Sequence, residues 1–180
     1  MLLLERVPEF RIPEVKPAIE LVRGKRFQKM SPRTRHSLLQ GRLLIALAMW
    51  AKDRGDVGPE WRFYLLPPSE KPSSLVPDVA YVSHGRLAPD ESDERERPQF
   101  APDIAVEVLS PSDRLSLLET KIELYLGNGS TLVVVVDPTR RTVRMVDAGG
   151  DRTFAAPAVA RSDAFPDFDI DVTALFEGIV

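Results

Sequence analysis

The chain has 180 residues, 43% hydrophobic and 28% charged, with 24 basic and 27 acidic side chains and a net charge of −3. That balance suits one soluble globular domain and lies far from the composition of disordered chains. There is no cysteine, which excludes disulfide scaffolds, cysteine-ligated zinc, iron–sulfur clusters and thiol nucleophiles, and leaves any chemistry to oxygen and nitrogen groups.

Residues 1–17, with Pro8, Pro13 and Pro17, read as an N-terminal arm, and residues 18–180 as a single domain. The opening MLLLERVPEF carries no basic n-region followed by a cleavage site. The longest apolar run, residues 43–51, is about half of a bilayer span. A cytoplasmic protein with no membrane partner is therefore expected. Residues 18–30 hold a short helix end or a strand. Ser31-Pro32 is a helix-start signal, and Leu39, Leu43, Leu47 and Trp50 then recur at helical spacing up to Gly55. Two strands are predicted over 60–66 and 75–82, flanking Pro67, Pro68 and Pro72, with Pro77 marking an edge or bulged position. Residues 83–100 are polar, of mixed charge and without periodicity, as in a surface loop.

A strand over 104–109, a helix over 113–126 stopped by Gly127 and Gly129, and a buried strand over 132–136 form a βαβ pattern with a parallel pair. After Asp137-Pro138 the chain returns as a hairpin arm over 142–146, with a further strand over 152–155 and a last short helix capped by Asp171. The fold class is α/β, a mixed sheet flanked by helices.

Charge is segregated along the chain. Residues 21–51 contain Arg23, Lys25, Arg26, Lys29, Arg33, Arg35 and Arg42 and no acid, while the remainder has 17 basic and 27 acidic residues. Such a segment is either a solvated helix face or a local patch for a polyanion on an acidic body. Lys25, Arg26, Lys29, Arg33 and Arg35, with Arg114 further on, are the candidate nucleic-acid contacts.

Three charged residues sit where their elements should be apolar. Glu107 interrupts the buried strand Ile104-Ala105-Val106-Glu107-Val108-Leu109, and Asp78 lies in an equally apolar run. A lone carboxylate removed from water costs about several kcal/mol and needs a cation, a metal or a proton. On a helical wheel Lys121 falls inside the apolar arc between Leu117 and Tyr125, with Arg114 on nearly the same stripe. One explanation is a structural Glu107–Lys121 ion pair. A single lysine cannot neutralise two carboxylates, however, and a divalent cation can. Carboxylates without cysteine or a histidine cluster make a hard oxygen site suited to Mg²⁺ or Mn²⁺. A bound water is then acidified, and a nearby ammonium can stabilise a phosphoryl transition state. Two carboxylates and a lysine are thus a minimal set for phosphodiester hydrolysis.

The runs Val76-Pro77-Asp78-Val79-Ala80, Pro102-Asp103-Ile104-Ala105-Val106-Glu107-Val108-Leu109-Ser110-Pro111-Ser112-Asp113, Lys121 with Tyr125, and Val136-Asp137-Pro138, preceded by Glu20, Gly24, Met30-Ser31-Pro32 and His36, resemble the Uma-two family of the PD-(D/E)XK nuclease superfamily. The resemblance implies a restriction-endonuclease-like fold whose βαβ unit carries the site. It matches Asp78 and Glu107 to the metal-binding acids, with the Val108 carbonyl completing the protein ligands. Glu20 matches an additional acid and Lys121 the catalytic lysine. Leu109 stands where the superfamily motif has its lysine. A nucleic-acid substrate, DNA, and a homodimer cutting both strands are implied. The contrasting reading is a non-catalytic nucleic-acid or protein interaction module. Crowding of Asp78, Glu107 and Glu20 is also expected to raise the pKa of at least one, so that Asp78→Asn stabilises the metal-free fold.

Overall fold

A computed structural model describes residues 15–66, 70–87, 93–111 and 113–179, so nearly all of the expected N-terminal arm, Pro67 and Pro68 lie outside the described residues. The βαβ reading holds. Strand β7 (Ile104–Val108) runs parallel to β8 (Leu132–Asp137), and α3 (Leu115–Gly127) crosses between them. Both strands are nearly continuous runs of β-branched residues, as a sheet covered on both faces requires. Outward from this pair the pairing is antiparallel, giving a six-stranded sheet in the order β10-β9-β8-β7-β6-β3. Its outer members are β3 (Gly55–Pro59), β6 (Val79–Ser83), β9 (Thr142–Asp147) and β10 (Gly150–Ala155).

Alternation along these strands sorts the core into two layers. Val106 and Val108 of β7, with Leu132, Val134 and Val136 of β8, meet Leu39, Leu43 and Leu47 of α1 (Thr34–Trp50). The C-terminal strand and helix pack into the same layer. Ala105, Val133 and Val135 face the other way, toward Leu118, Ile122 and Tyr125 of α3. Glu107, two residues after Ala105, shares that second face and points toward the helix that carries Lys121.

A second, four-stranded sheet covers the same side in the order β2-β1-β5-β4, built from β1 (Ile19–Val22), β2 (Lys25–Gln28), β4 (Phe63–Leu65) and β5 (Ser73–Leu75). The β1–β2 connection is the two-residue turn Arg23-Gly24, with φ of 46° and 78°, the both-positive geometry that matches strand twist and suits glycine. A two-stranded ribbon, β11 (Val159–Ser162) and β12 (Phe165–Asp171), leads into α4 (Val172–Phe176). As expected, Asp171 caps that helix, its carboxylate accepting the Ala174 N–H at 3.0 Å.

Several boundaries differ from the sequence reading. The predicted strand 75–82 is two strands in two different sheets, because Val76-Pro77-Asp78 carries the chain from β5 to β6; proline removes the N–H that continued pairing would need. Residues 18–30 form a hairpin. The first helix begins at Thr34 with Arg33 at the N-cap and no side-chain cap, so Ser31 does not fill that role. Asp113 precedes α3, where its carboxylate accepts the Ser110 N–H at 2.7 Å. Strand β3, in Gly-Asp-Val-Gly-Pro, carries almost no strand propensity and forms because the edge of β6 templates it. The polar stretch 83–100 includes the four-residue helix α2 (Asp93–Glu96).

Gly55 shows why that edge strand tolerates glycine. A Cβ there would strike the Val82 carbonyl and lie 2.8 Å from the Ser83 Cα, both backbone atoms that cannot swing aside. Gly55→Ala is expected to destabilise the fold by about 1–3 kcal/mol. Thermal melting checks this, and a melting temperature equal to the parent's would refute it.

Candidate functional site

Three buried carboxylates reach one cavity from three places in the chain. Glu20 comes from β1, Asp78 from the crossover between the sheets, and Glu107 from β7. The cavity has a volume of about 100 Å³, and its wall includes Lys29, His36, Val108, Leu109, Arg114 and Lys121. Asp78 stands immediately before β6, in the strand pair that aligns Val79 with Val106. Its N–H donates to the Val106 carbonyl at 2.9 Å, and its Oδ2 accepts the Val108 N–H at 2.7 Å. Asp78 and Glu107 therefore sit side by side on adjacent strands.

Lys121 enters from α3 on the face that the helical wheel assigns to the core. Its ammonium lies 2.6 Å from Glu107 Oε1 and 3.0 Å from Glu20 Oε1. Tyr125, one turn later on that face, donates its hydroxyl to Glu107 Oε1 at 2.7 Å. Glu20 also ties the small sheet to the crossover, since its Oε1 accepts the Val76 N–H at 2.8 Å. The Glu107–Lys121 pair weighed from the sequence is present, but it is one part of a larger network.

The larger part is Lys29. Its ammonium lies 2.6 Å from Asp78 Oδ1 and donates to the Val76 carbonyl at 2.8 Å. His36, from the first turn of α1, approaches Asp78 Oδ2 through Nε2 at 3.3 Å. Its Nδ1 is buried without a hydrogen-bond partner among the described residues. Lys29 thus has its ammonium inside the cavity, whereas Lys25, Arg26, Arg33, Arg35 and Arg114 are exposed. Sequence reasoning placed His36 near the site but did not find Lys29 there. A lysine just after an exposed hairpin strand gives no periodic signal of pointing inward.

The electrostatics follow from burial and these contacts. Burial alone would push the Asp78 carboxyl up, but the Lys29 ammonium and the His36 hydrogen bond outweigh it and hold the group well below its ordinary range. Burial pushes Glu107 up and prevails even against Lys121. Burial opposes the charged form of Lys121, yet Glu107 and Glu20 keep it more firmly protonated than a free lysine. Tyr125 is driven well up by burial and by Glu107, so it stays a donor. Burial, aided by the nearby Glu20 and Asp78 carboxylates, therefore raises Glu107, whereas Lys29 and His36 lower Asp78, so Asp78→Asn is expected to destabilise the metal-free fold, opposite to the expectation from crowding.

The donor set suits a hard divalent cation: two carboxylates on adjacent strands and the Val108 backbone, with no sulfur and a single histidine. The Asp78 Oδ1 and Val76 carbonyl pair already cradles a positive charge, that of Lys29. Among the described residues, no three histidine or acidic side chains converge as metal ligands in this arrangement. Nor is any helix among them long and apolar enough to cross a membrane.

Asp78→Asn is expected to lower stability at neutral pH by about 3 kcal/mol, because it strips the buried Lys29 of its counter-charge. The Asp78 pKa is lower in the folded than in the unfolded protein, so its stabilisation is complete above the ordinary value of 3.8 and fades as pH falls below it. Melting curves of parent and variant should therefore differ at pH 7 and converge in acid; a variant more stable than its parent at pH 7 would contradict the Lys29–Asp78 pairing.

No curated protein matches the chain in sequence. Among solved structures it is similar to a protein from Anabaena variabilis described as "a putative nuclease belonging to DUF820", with 25% identity, a TM-score of 0.80, and coverage of 91% of this chain and 92% of that one. The mixed sheet flanked by helices is thus the restriction-endonuclease-like architecture that the resemblance implied. The family model named Uma2, described as "Putative restriction endonuclease", matches residues 7–173, and the chain belongs to that family.

Proposed function

We propose that the chain is a metal-dependent endonuclease hydrolysing phosphodiester bonds of nucleic acid, with DNA as substrate. The observation that carries this reading is the gathering of three buried carboxylates, Glu20, Asp78 and Glu107, in one small cavity, where burial keeps Glu107 raised despite a lysine at 2.6 Å. A small cavity with that many carboxylate oxygens favours a divalent cation.

On this reading Asp78, Glu107 and the Val108 carbonyl hold Mg²⁺ or Mn²⁺, and Glu20 supports the site from β1. When bound, the metal supplies an acidified water and neutralises charge on the phosphoryl group. Lys121 places a fixed ammonium beside Glu107, able to orient a water and stabilise negative charge that develops on the phosphate. Tyr125 donates to the same Glu107 oxygen that Lys121 contacts and helps to fix that carboxylate. Arg114, exposed on the rim, is placed to meet a backbone phosphate, with salt-sensitive contacts also from Lys25, Arg26, Arg33 and Arg35. Arg140 lines an adjoining cleft with Arg114 and extends that path. A two-fold dimer would bring two sites to the two strands of a duplex.

A second reading is favoured by one observation: every carboxylate of the cluster already holds an ammonium, and no ready-made metal group is present among the described residues. On that reading the network is a structural joint and the chain a non-catalytic binding module.

Plasmid nicking with Mg²⁺ or Mn²⁺ separates the two. Glu107→Gln and Lys121→Ala are each expected to lower cleavage by about 100-fold or more while leaving folded protein. Cleavage that persists in both folded variants would sink the site assignment. A parent that neither nicks DNA nor gains thermal stability with either metal would favour the structural joint.

A further inference from the structure

The two lysines of the cavity are held unequally. Lys121 bridges two carboxylates, and its side chain is 7% exposed. Lys29 contacts one carboxylate oxygen and one carbonyl, and its side chain is 17% exposed. Its backbone N–H donates to the Ala18 carbonyl at 2.9 Å. The rest is a flexible four-carbon stem. Beyond the central cavity, Lys29, His36 and Asp78 also line a neighbouring cleft with Ser31, Pro32 and Glu60. The ammonium therefore has space to move into, in a cleft that Lys121 does not line.

One of the two oxygens that Lys29 occupies, Asp78 Oδ1, belongs to a carboxylate that the divalent ion would require. An ammonium 2.6 Å from Asp78 Oδ1 and a metal on the same carboxylate repel each other at short range, so each weakens the binding of the other. We propose that Lys29 is an internal competitor for the divalent cation: it holds Asp78 in the unloaded protein, and it must leave that carboxylate for metal to enter. This rests on the metal-dependent reading above and adds to it the residue that sets metal affinity. Lys121, locked between Glu20 and Glu107, stays in place in both states.

The test measures Mn²⁺ binding directly, by titration calorimetry and by the rise in melting temperature that Mn²⁺ produces. Lys29→Gln is expected to bind Mn²⁺ about tenfold tighter than the parent or better, and to gain more in melting temperature on loading. Lys29→Arg, which keeps the charge, is expected to bind no tighter than the parent. A second measurement needs no variant: chemical acylation of the parent, read residue by residue by mass spectrometry, should label Lys29 severalfold faster when Mn²⁺ is saturating.

A folded Lys29→Gln protein that binds Mn²⁺ no tighter than the parent overturns the competitor role and leaves the metal-dependent reading standing. So does labelling of Lys29 that is unchanged by saturating Mn²⁺, which decides the matter if Lys29→Gln does not fold. Absence of Mn²⁺ binding to both parent and variant at millimolar concentration overturns both ideas together.

Discussion

The burial of three carboxylates at one point is the constraint on which the rest of this molecule depends. Glu20 belongs to the small sheet, Glu107 to the large one, and Asp78 to the segment that passes between them. Each would be strongly destabilising alone. Lys121 binds the first two, Lys29 binds the third, and the Val76 and Val108 amides donate to Glu20 and Asp78. The joint between the sheets consequently adds an ionic network to the apolar cluster that Val22, Leu65 and Leu75 of the small sheet share with Ala105, Val133 and Val135 of the large one. The apolar layers on either side, built from α1 against one face of the large sheet and α3 against the other, supply the cohesion. They also fix the backbone frame against which the charges are aligned.

That frame sorts the basic segment into residues that build the fold and residues that face outward. Arg42 donates to the carbonyls of Ala174, Leu175 and Glu177 at the end of α4, where a cation also meets the negative pole of the helix. Arg23 pairs with Glu123 of α3 at the surface. Lys29 turns into the cavity. The hairpin arginines divide in the same way: Arg141 holds the Phe176 and Ile179 carbonyls and lies over the Phe176 ring, and Arg144 is clasped by Glu119 and Asp151. Charge density along a sequence therefore overstates the charge presented to a ligand. What faces outward is a smaller set, with Arg114 lining the cavity and Lys25 and Arg26 exposed on β2.

Much of this organisation is legible before any coordinates. Strands β7 and β8 declare themselves through nearly continuous apolar runs, and α3 through its apolar arc, because period and burial are properties of a short window. The inward direction of Lys121 follows from that arc alone. The partition of charge is not legible in the same way. Lys29 reaches Asp78 across 49 positions and Glu20 reaches Lys121 across 101, so each pairing exists only once two sheets have packed. Likewise nothing local distinguishes one strand over 75–82 from two strands in different sheets, beyond Pro77 itself. The edge strand β3 is invisible for a related reason, since its glycines and proline carry no strand preference and its partner supplies the order. Elements that own their stability can be read from the sequence, and elements that borrow it cannot.

The position of the lysine relative to the superfamily pattern is a case of the same geometry. Residue 109 lies on the same side of the chain as Glu107, and Leu109 is half-buried against the α3 layer while lining the cavity. A lysine at that position would extend from the end of a strand. Lys121 instead descends from the helix that covers the strand, where it is buried along with Leu118, Ile122 and Tyr125. The stem is immobilised by the helix, and the ammonium is fixed by two carboxylates in place of one. Electrostatic stabilisation depends on where a charge is held and how little it must reorganise, and not on which element delivers it. An apolar residue at 109 and a cation at 121 thus put the ammonium on the helix, between Glu20 and Glu107, while the more exposed Lys29 meets Asp78.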